Sequence, residues 1–375
     1  MTVARRLPAL LIYAAMFLST AAFAAEPIKP TIIAHRGASG YRPEHTLAAY
    51  ELAINMGADY VEPDLVSTKD GALVARHENE ISTTTDVANH QEFADRCKTK
   101  VIDGESKKGW FTEDFTLAEL KTLRARDRMP KVRQHNTIYD GHYTIPTFQE
   151  IIDLVKKKNA EQHRTIGIYP EVKHPSYFAS IGLSTENQIL ETLKRNGYKD
   201  RSAPIFIQCF EVGTLKKLHG LTDISLIMLI DEEGKPYDFV VNKDTRTFAD
   251  LVKPDGLADL AKFCQGIGPN KDLIVPRDNK GNHMPPTSLV ADAHKAGLLV
   301  HPWTFRNENA FLPMDLRSGN QSDPDSGQYY GDAFAEYKMF YDLGVDGVFS
   351  ENPDTAREAR KLQGQAAVSQ LSAPR

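Results

Sequence analysis

Short apolar runs alternate with amphipathic stretches along most of this chain, and this alternation constrains its fold more than any other sequence feature. The runs are TIIAHRG (31–37), YVEPDLVS (60–67), ALVARHEN (72–79), TIGIYPEVK (165–173), PIFIQCF (204–210), ISLIMLI (224–230), GLLVHPWTF (297–305) and VDGVFSEN (345–352). Stretches such as TLAAYELAINMG, TFQEIIDLVKKKN, STENQILETLKRNG and DAFAEYKMFYDLG separate most of them. Strands that are apolar on both faces and alternate with helices predict a parallel sheet covered by helices.

The number of these units predicts a closed (β/α)₈ barrel with insertions. A doubly wound sheet is the alternative, although the glycine fingerprint typical of that fold is absent after the first run. Residues from about 81 to 143 break the rhythm, because they are polar, irregular and rich in charge. We interpret them as an inserted subdomain on the catalytic side, with a short helix at DFTLAELKTL.

The N-terminus predicts export. Arg5 and Arg6 precede an apolar stretch that ends in the A-x-A pattern of residues 22 to 24, which is typical of a signal peptide cleaved after residue 24. A membrane anchor over residues 7 to 25 is the alternative. The mature chain, residues 25 to 375, is then expected in the periplasm or outside the cell, with no stable membrane insertion after cleavage.

Charge and cysteine content exclude several classes of protein. The net charge of -5 and pI near 6.2 argue against a broad basic surface for nucleic acid or anionic membranes. Only Cys97, Cys209 and Cys264 occur, and their odd number and wide spacing indicate neither a disulfide scaffold nor a zinc site. One bridge at most could form among them.

Charged and polar residues end several of the predicted strands. They are His35, Arg36, Glu62, Asp64, His77, Glu171, Lys173 and Gln208. Because the catalytic groups of a (β/α)₈ barrel lie at the C-terminal ends of its strands, we expect these side chains to form one site.

Three carboxylates in this set predict a site for a hard divalent cation. Glu62 and Asp64 are two residues apart, so on a strand they share one face, and Glu171 comes from another strand. Like charges together in an apolar barrel are costly unless a cation neutralises them, and oxygen ligands favour Ca²⁺ or Mg²⁺ over zinc. The alternative is that the carboxylates pair only with Arg36 and Lys173.

Two histidines predict acid–base chemistry on an anion. An ammonium at Lys173 beside a metal-binding carboxylate suits a phosphate that bridges both, and histidines titrate near neutral pH. Adjacent strand residues face opposite ways, so His35 and Arg36 both reach the site only if the backbone leaves β geometry there. Gly37 allows such a turn.

Other residues near these motifs admit two interpretations. Glu44 either binds substrate hydroxyls or interacts favourably with a helix N-terminus, and Trp303 either lines the alcohol pocket or packs in the core. Gln208 is a candidate to reach the metal site. We interpret His45 as a helix-start residue rather than a third catalytic histidine. Pro63 removes a backbone donor between the two proposed ligands, which a bulge near the strand end would tolerate.

These residues resemble a known family. The segment HRGASGYRPEHTLAAYELAINMGADYVEPDL, followed by DGALVARHE, IPTFQE, YPEVK and IQCF, is similar to the glycerophosphodiester phosphodiesterases, and most of all to their exported bacterial type. The resemblance extends from about residue 31 to residue 353. Many members have PENT and EQD where this chain has PEHT and EPD.

The resemblance implies a role for each matching residue. It implies that His35 and His77 are catalytic, that Arg36 and Lys173 bind phosphate, and that Glu62, Asp64 and Glu171 bind the metal. It also implies the (β/α)₈ barrel, and Ca²⁺ rather than Mg²⁺, since exported members often use calcium.

We therefore expect an exported, metal-dependent hydrolase that cleaves deacylated phospholipids to glycerol 3-phosphate and an alcohol. One alternative is a phospholipase C or D that acts on intact lipids, which predicts an exposed apolar rim. Another is a non-catalytic surface binding protein that retains the barrel. The nucleophile is either water or the glycerol 2-hydroxyl.

Overall fold

The computed structural model describes residues 29 to 372, with side chains to residue 365, so the predicted signal peptide lies outside the described residues. Its strands are β1 Thr31–His35, β2 Tyr60–Glu62, β3 Asp64–Ser67, β4 Leu73–Ala75, β5 Lys98–Ile102, β6 Glu105–Gly109, β7 Gly167–Ile168, β8 Glu171–Val172, β9 Phe206–Cys209, β10 Ser225–Ile230, β11 Gly266–Pro269, β12 Leu299–Val300 and β13 Gly347–Ser350. Its α-helices are α1 Leu47–Met56, α2 Leu117–Leu120, α3 Phe148–Gln162, α4 Pro175–Ser180, α5 Glu186–Arg195, α6 Val212–His219, α7 Tyr237–Val241, α8 Phe248–Leu251, α9 Pro254–Leu260, α10 Leu289–Lys295, α11 Ala333–Asp342 and α12 Pro353–Ser372.

Parallel pairing links ten of these strands into two sheets, in the orders β13-β1-β2-β7 and β12-β11-β10-β9-β8-β3, with β4 added antiparallel at the edge of the second. The other two strands, β5 and β6, pair only with each other. Prolines divide two of the strand positions. Pro63 separates β2 from β3, and Pro170 separates β7 from β8. The strands on either side of each proline nevertheless occupy one strand position, because the backbone pairing with the next strand continues at the proline itself. Glu171 N donates to Pro63 O (2.9 Å), and Gln208 N donates to Pro170 O (3.0 Å). Pro63 therefore lies at a break between two short strands, where its missing backbone donor is tolerated.

Backbone hydrogen bonds also join the edges of the two sheets. Asp346 N donates to Val300 O (3.0 Å) and Phe349 N donates to Pro302 O (3.0 Å), while Phe305 bridges to Ser350 in parallel. On the other side Ile168 bridges to Ile205. Eight parallel strand positions therefore follow one another around a ring, as the predicted (β/α)₈ class requires and a doubly wound sheet does not.

One predicted strand is not part of this ring, and one barrel strand was missed. The run at 72–79 forms β4, which pairs antiparallel with β3 through Val66 and Val74. The missing position is filled by β11, whose sequence GIGP has two glycines and a proline. These residues have low intrinsic strand propensity, so β11 depends on pairing with β10 and β12 on either side.

The predicted helices begin and end close to the expected residues. Helix α1 starts after Thr46, whose hydroxyl accepts a hydrogen bond from Ala49 N, and Gly57 ends it with a φ of 96°. Helix α3 starts with a capping box between Thr147 and Glu150. Caps of this kind satisfy orphan backbone groups at helix ends. None of the helices in the described part of the chain combines the length and apolar character needed to cross a membrane.

Side chains inside the barrel form two layers, one above the other along the strands. We call the first the lower layer; it contains Ile33, Tyr60, Tyr169, Phe206, Ile227, His301 and Phe349. The upper layer comes two residues later on most of the same strands and contains His35, Glu62, Glu171, Gln208, Trp303 and Glu351. Residues i and i+2 of a strand point the same way, so apolar and charged layers alternate within one lumen.

The region from 81 to 143 has an apolar cluster of its own. The antiparallel hairpin β5–β6, helix α2 and several short 3₁₀ helices lie within it. Its cluster includes Phe93, Phe115 and Leu120 and extends to Val66 and Val74 of the β3–β4 hairpin. The insertion is thus anchored on a hairpin that adjoins the upper layer.

Candidate active site

Three buried carboxylates meet at the top of the barrel. Glu62 ends β2, while Asp64 and Glu171 begin β3 and β8, and one ligand atom from each lies within 4.8 Å of the others. Their exposed fractions are 0%, 1% and 6%. The predicted convergence of these side chains is therefore what the structure shows.

Burial and mutual repulsion shape the electrostatics of this cluster. Burial and then the charge of Asp64 raise the pKa of Glu62 well above its usual value. Burial likewise raises the pKa of Glu171 to about 8, against the opposing charge of Lys173. Burial acts to raise the pKa of Asp64 too, but Lys173, His45 and Arg36 outweigh it and hold that pKa well below its usual range. Full ionisation of the three carboxylates is therefore unfavourable without a further positive charge.

The polar atoms around the cluster fit a divalent cation. Asp64 Oδ1 and Gln208 Oε1 are buried without a hydrogen-bond partner, although Gln208 Nε2 donates to Glu62 Oε1 (3.2 Å). Buried oxygens without a partner are costly. A hard cation with oxygen ligands would satisfy them and neutralise the carboxylates.

The turn after β1 presents His35 and Arg36 to the same site. Arg36 has a φ of 60° and Gly37 a φ of 86°, so the backbone leaves β geometry where the sequence predicted it. A Cβ on Gly37 would lie 2.6 Å from the carbonyl carbon of Ala49, which excludes larger residues. Arg36 N then donates to Glu62 Oε2 (2.8 Å), and its guanidinium Nε lies 3.3 Å from Asp64 Oδ2.

His35 is held by a carboxylate from the far end of the chain. Its Nδ1 lies 2.9 Å from Glu351 Oε1, just beyond β13. A carboxylate accepts hydrogen bonds, so Nδ1 carries the proton and Nε2 is left as the available ring nitrogen. Burial, and next the charge of Arg36, lower the pKa of His35 to about 4.

His77 reaches the site from the β3–β4 hairpin and not from a barrel strand, contrary to the sequence interpretation. The hairpin runs up along β3 and returns along β4, and Arg76 N donates to Asp64 O (3.0 Å). This return brings His77 back to the level of the carboxylates. Its Nδ1 lies 3.1 Å from Glu78 Oε1, and burial lowers its pKa well below the usual value, followed by the charge of Arg36.

A cavity of about 890 Å³ opens above these groups. Its wall includes His35, Arg36, His77, Glu171, Lys173, Gln208 and Trp303. Lys173 Nζ lies 2.9 Å from Glu171 Oε1. Trp303 Nε1 donates to Gly268 O (2.7 Å), and its ring meets that of Phe210 edge-on at 5.9 Å. The site thus joins cations and two histidines to an aromatic wall in a space suited to a small ligand.

Comparison with known proteins identifies the family of this chain. The model of the glycerophosphoryl diester phosphodiesterase family matches residues 35 to 355. The chain is 40% identical over 349 residues to a glycerophosphodiester phosphodiesterase of Arabidopsis thaliana, covering 89% of this chain and 87% of that protein. This chain belongs to the glycerophosphodiester phosphodiesterase family.

Other family members and solved structures extend the comparison. A glycerophosphodiester phosphodiesterase of Haemophilus influenzae is 30% identical over 358 residues, covering 88% and 89% of the two chains. The structure of a Silicibacter pomeroyi protein assigned to the same activity has a TM-score of 0.63 at 20% identity, covering 90% and 95%. An Oleispira antarctica phosphodiesterase, solved in complex with its product sn-glycerol-3-phosphate, has a TM-score of 0.54 at 21% identity, covering 88% and 97%. At these identities the solved structures support the fold.

Glu44 and His45 make contacts in this phosphodiesterase that the sequence did not predict. The carboxylate of Glu44 is paired with Arg36 (3.1 Å) and Arg128 (2.5 Å). His45 is not the helix-start residue, since Thr46 caps α1. It is fully buried and places Nε2 2.8 Å from Asp64 Oδ2 and Nδ1 2.7 Å from the Tyr50 hydroxyl. His45 therefore orients a proposed metal ligand.

Sequence reasoning missed two further groups. Glu351 follows a predicted strand, so the rule that selected His35 and Gln208 would have selected it as well. Arg128 lies in the insertion, and its contacts with Glu44 and with His77 Nδ1 (3.4 Å) span long sequence separations that no local pattern reveals. The three cysteines Cys97, Cys209 and Cys264 are free thiols.

Proposed function

We propose that this enzyme hydrolyses glycerophosphodiesters, the deacylated phospholipids, to glycerol 3-phosphate and an alcohol, with His35 and His77 as acid and base. The observation that carries the proposal is one cavity wall that presents both histidines, Arg36 and Lys173 beside a buried cluster of three carboxylates. The glycerol 3-phosphate bound by the Oleispira antarctica relative supports the same product class here.

Glu62, Asp64 and Glu171 would hold a divalent cation, which we propose to be Ca²⁺ rather than Mg²⁺. The ligand set contains only oxygens, and calcium accepts irregular oxygen geometry more readily than magnesium. When bound, such an ion supplies charge stabilisation at a phosphate oxygen. Arg36 and Lys173 would bind the remaining phosphate charge.

We propose that the glycerol 2-hydroxyl is the first nucleophile. One histidine takes its proton as the oxygen bonds to phosphorus, and the other protonates the departing alcohol as the P–O bond to it breaks. Water then opens the cyclic phosphate, with the proton transfers reversed. A tethered hydroxyl has a large proximity advantage over free water. Both histidines have lowered pKa values, and an entering phosphate anion would favour protonation of the acid.

The test of activity measures glycerol 3-phosphate release from glycerophosphocholine, glycerophosphoethanolamine and glycerophosphoglycerol, with and without chelator. We expect release from at least one substrate and its loss on chelation. Faster cleavage of intact phospholipids would favour the phospholipase alternative. Ligand binding without turnover would favour the binding-protein alternative.

The nucleophile is tested with a substrate that contains propane-1,3-diol in place of glycerol. This analogue keeps the diester and lacks the 2-hydroxyl, so the internal route predicts a severe loss of turnover. Hydrolysis at a rate close to that of the natural substrate would exclude the internal route and favour attack by water.

We further propose that the enzyme acts in the periplasm or outside the cell. The basic residues, apolar stretch and A-x-A pattern of residues 1 to 24 support this location. N-terminal sequencing of the protein purified from the source cells should find the mature chain beginning at Ala25. A chain that retains its first 24 residues in a membrane fraction would favour the anchor alternative.

A further inference from the structure

Arg133, in the inserted region, is a buried charge that the proposed reaction does not use. It is 2% exposed although it lies far along the chain from any barrel strand. Its Nε and Nη2 pair with Glu308 at 2.5 and 3.3 Å, and Nη1 donates to Ser39 O (2.9 Å). A buried arginine held by two carboxylates and a backbone carbonyl has a defined geometry, and removing it is costly.

The contact of Arg133 with Glu351 connects it to the active site. Arg133 Nη2 lies 2.6 Å from Glu351 Oε2, while Glu351 Oε1 lies 2.9 Å from His35 Nδ1. Arg306 also approaches Oε1, at 2.9 Å. His35 and Arg306 therefore share one oxygen of Glu351, and Arg133 occupies the other.

This division of oxygens fixes the rotation of the Glu351 carboxylate. Without Arg133, Glu351 could turn both oxygens toward Arg306, since arginine binds carboxylates in a bidentate manner. His35 would then lose the acceptor that holds the proton on Nδ1 and leaves Nε2 for proton transfer. Arg133 also binds Ser39, whose hydroxyl donates to His35 O (2.7 Å), so it supports the backbone turn as well.

We propose that Arg133 is a positioning residue for His35, acting through Glu351, so that the insertion sets the tautomer and orientation of a histidine on the first barrel strand. The proposal rests on the role of His35 in the proposed function. A displaced proton-transfer group costs turnover more than binding. Arg36 and Lys173 do not contact Arg133, so the KM should change little.

The experiment compares kcat and KM of Arg133→Met, Glu351→Gln and Glu308→Gln with those of the wild-type enzyme. Arg133→Met should lower kcat by about 10- to 100-fold. Glu351→Gln should have a similar effect, because its one carbonyl oxygen cannot serve both Arg133 and His35. Glu308→Gln is the matched control, since it removes the other carboxylate of Arg133 and leaves the path to His35. It should reduce stability with little change in kcat.

A spectroscopic measurement separates positioning from general damage. Histidine ¹⁵N NMR of the wild-type enzyme should show His35 as a single tautomer with a protonated Nδ1, and Arg133→Met should show a mixture. If Arg133→Met does not fold, Glu351→Gln provides the same two measurements. Arg96→Gln, which removes a partly exposed ion pair with Glu119 in the same insertion, should leave kcat and the tautomer unchanged.

Three results would overturn the proposal. They are a wild-type kcat in Arg133→Met, an unchanged tautomer in that variant and in Glu351→Gln, and a kcat loss in Glu308→Gln as large as in Arg133→Met. Wild-type enzyme that releases no glycerol 3-phosphate would instead contradict the proposed function, and the tautomer measurement would still decide the role of Arg133.

Discussion

The two layers inside the barrel lie on the same strands but differ in whether their polar groups are satisfied within the layer. In the lower layer Tyr169 stacks on Phe206 (5.1 Å between ring centroids), and its hydroxyl bonds to His301 Nδ1 (2.8 Å). That layer satisfies its own polar atoms and needs no ligand. Two residues later on these strands stand Glu171, Gln208 and Trp303.

The polar groups of the upper layer are not all satisfied by one another. Glu62 and Glu171 have raised pKa values, and Asp64 Oδ1 and Gln208 Oε1 have no partner. Along one barrel strand, a side chain that serves stability and a side chain that serves function are therefore only two residues apart. Changes in the lower layer should affect folding, and changes in the upper layer should affect the reaction.

Replacing either of the two proposed catalytic histidines should reduce turnover severely. His35→Ala and His77→Ala should each lower kcat by about 10²- to 10⁴-fold with the fold and metal binding intact, because each removes one acid or base. Steady-state kinetics and metal titration measure both quantities. His90→Gln, a histidine of the insertion paired with Glu92, is the control. Loss of metal affinity in both alanine variants would reassign the histidines as ligands.

Truncating a side chain in the lower layer should reduce stability and leave catalysis nearly unchanged. Ile227 is fully buried, and Ile227→Ala should lower the free energy of unfolding by about 2–5 kcal/mol through lost burial and a cavity. Urea denaturation measures this change, and kcat should be nearly unaffected at low temperature. Ile181→Ala, at a side chain 44% exposed, should cost less than about 0.5 kcal/mol. A loss of kcat without a loss of stability in Ile227→Ala would break the distinction between the layers.

The contribution of the lower layer to the free energy of unfolding should also decrease in acid. Burial lowers the pKa of His301 to about 4 from 6.5, so the unfolded chain binds this proton first as pH falls. The neutral imidazole then contributes stability above pH 6.5 that is lost between about pH 6.5 and 4, on the order of 3 kcal/mol. Unfolding free energies at pH 7 and pH 4.5 should differ less in His301→Gln than in the wild type. An equal difference in both proteins would exclude His301 as the cause.

Metal removal should give the smallest change in stability and act on the upper layer alone. Calcium at about 100 times its Kd should raise the free energy of unfolding by about 2.7 kcal/mol over the chelated enzyme, and chelation should abolish turnover. Glu62→Gln should reduce both the affinity and this stabilisation in a calcium titration followed by thermal denaturation. Full activity after exhaustive chelation, or activation by zinc alone, would contradict the proposed calcium site.

Local sequence patterns predicted much of this fold because they reflect local physics. The alternation of apolar runs and amphipathic helices indicated the barrel, and caps such as Thr46 and Gly57 lie where their residue types favour helix ends. The strand β11 was missed because Gly266, Gly268 and Pro269 form a strand only when neighbours on both sides pair with them.

The residues of the candidate site likewise fall into those that local sequence predicted and those that it did not. The pair Glu62 and Asp64 was predicted from strand periodicity alone, and the turn at Arg36 from the glycine that follows it. The contact of His45 with Asp64 was not predicted, because nothing local in the PEHT segment specifies a partner 19 residues away. The local signal at His45 pointed to a helix start instead.

Local sequence therefore specifies the set of chemical groups and their order along the strands, since side-chain type and a period of two residues are local properties. The way in which those groups are held depends on the tertiary structure. Arg133 reaches Glu351 across 218 positions, and Glu351 reaches His35 across 316. Contacts at such separations depend on closure of the whole barrel and docking of the insertion, which no window of sequence contains.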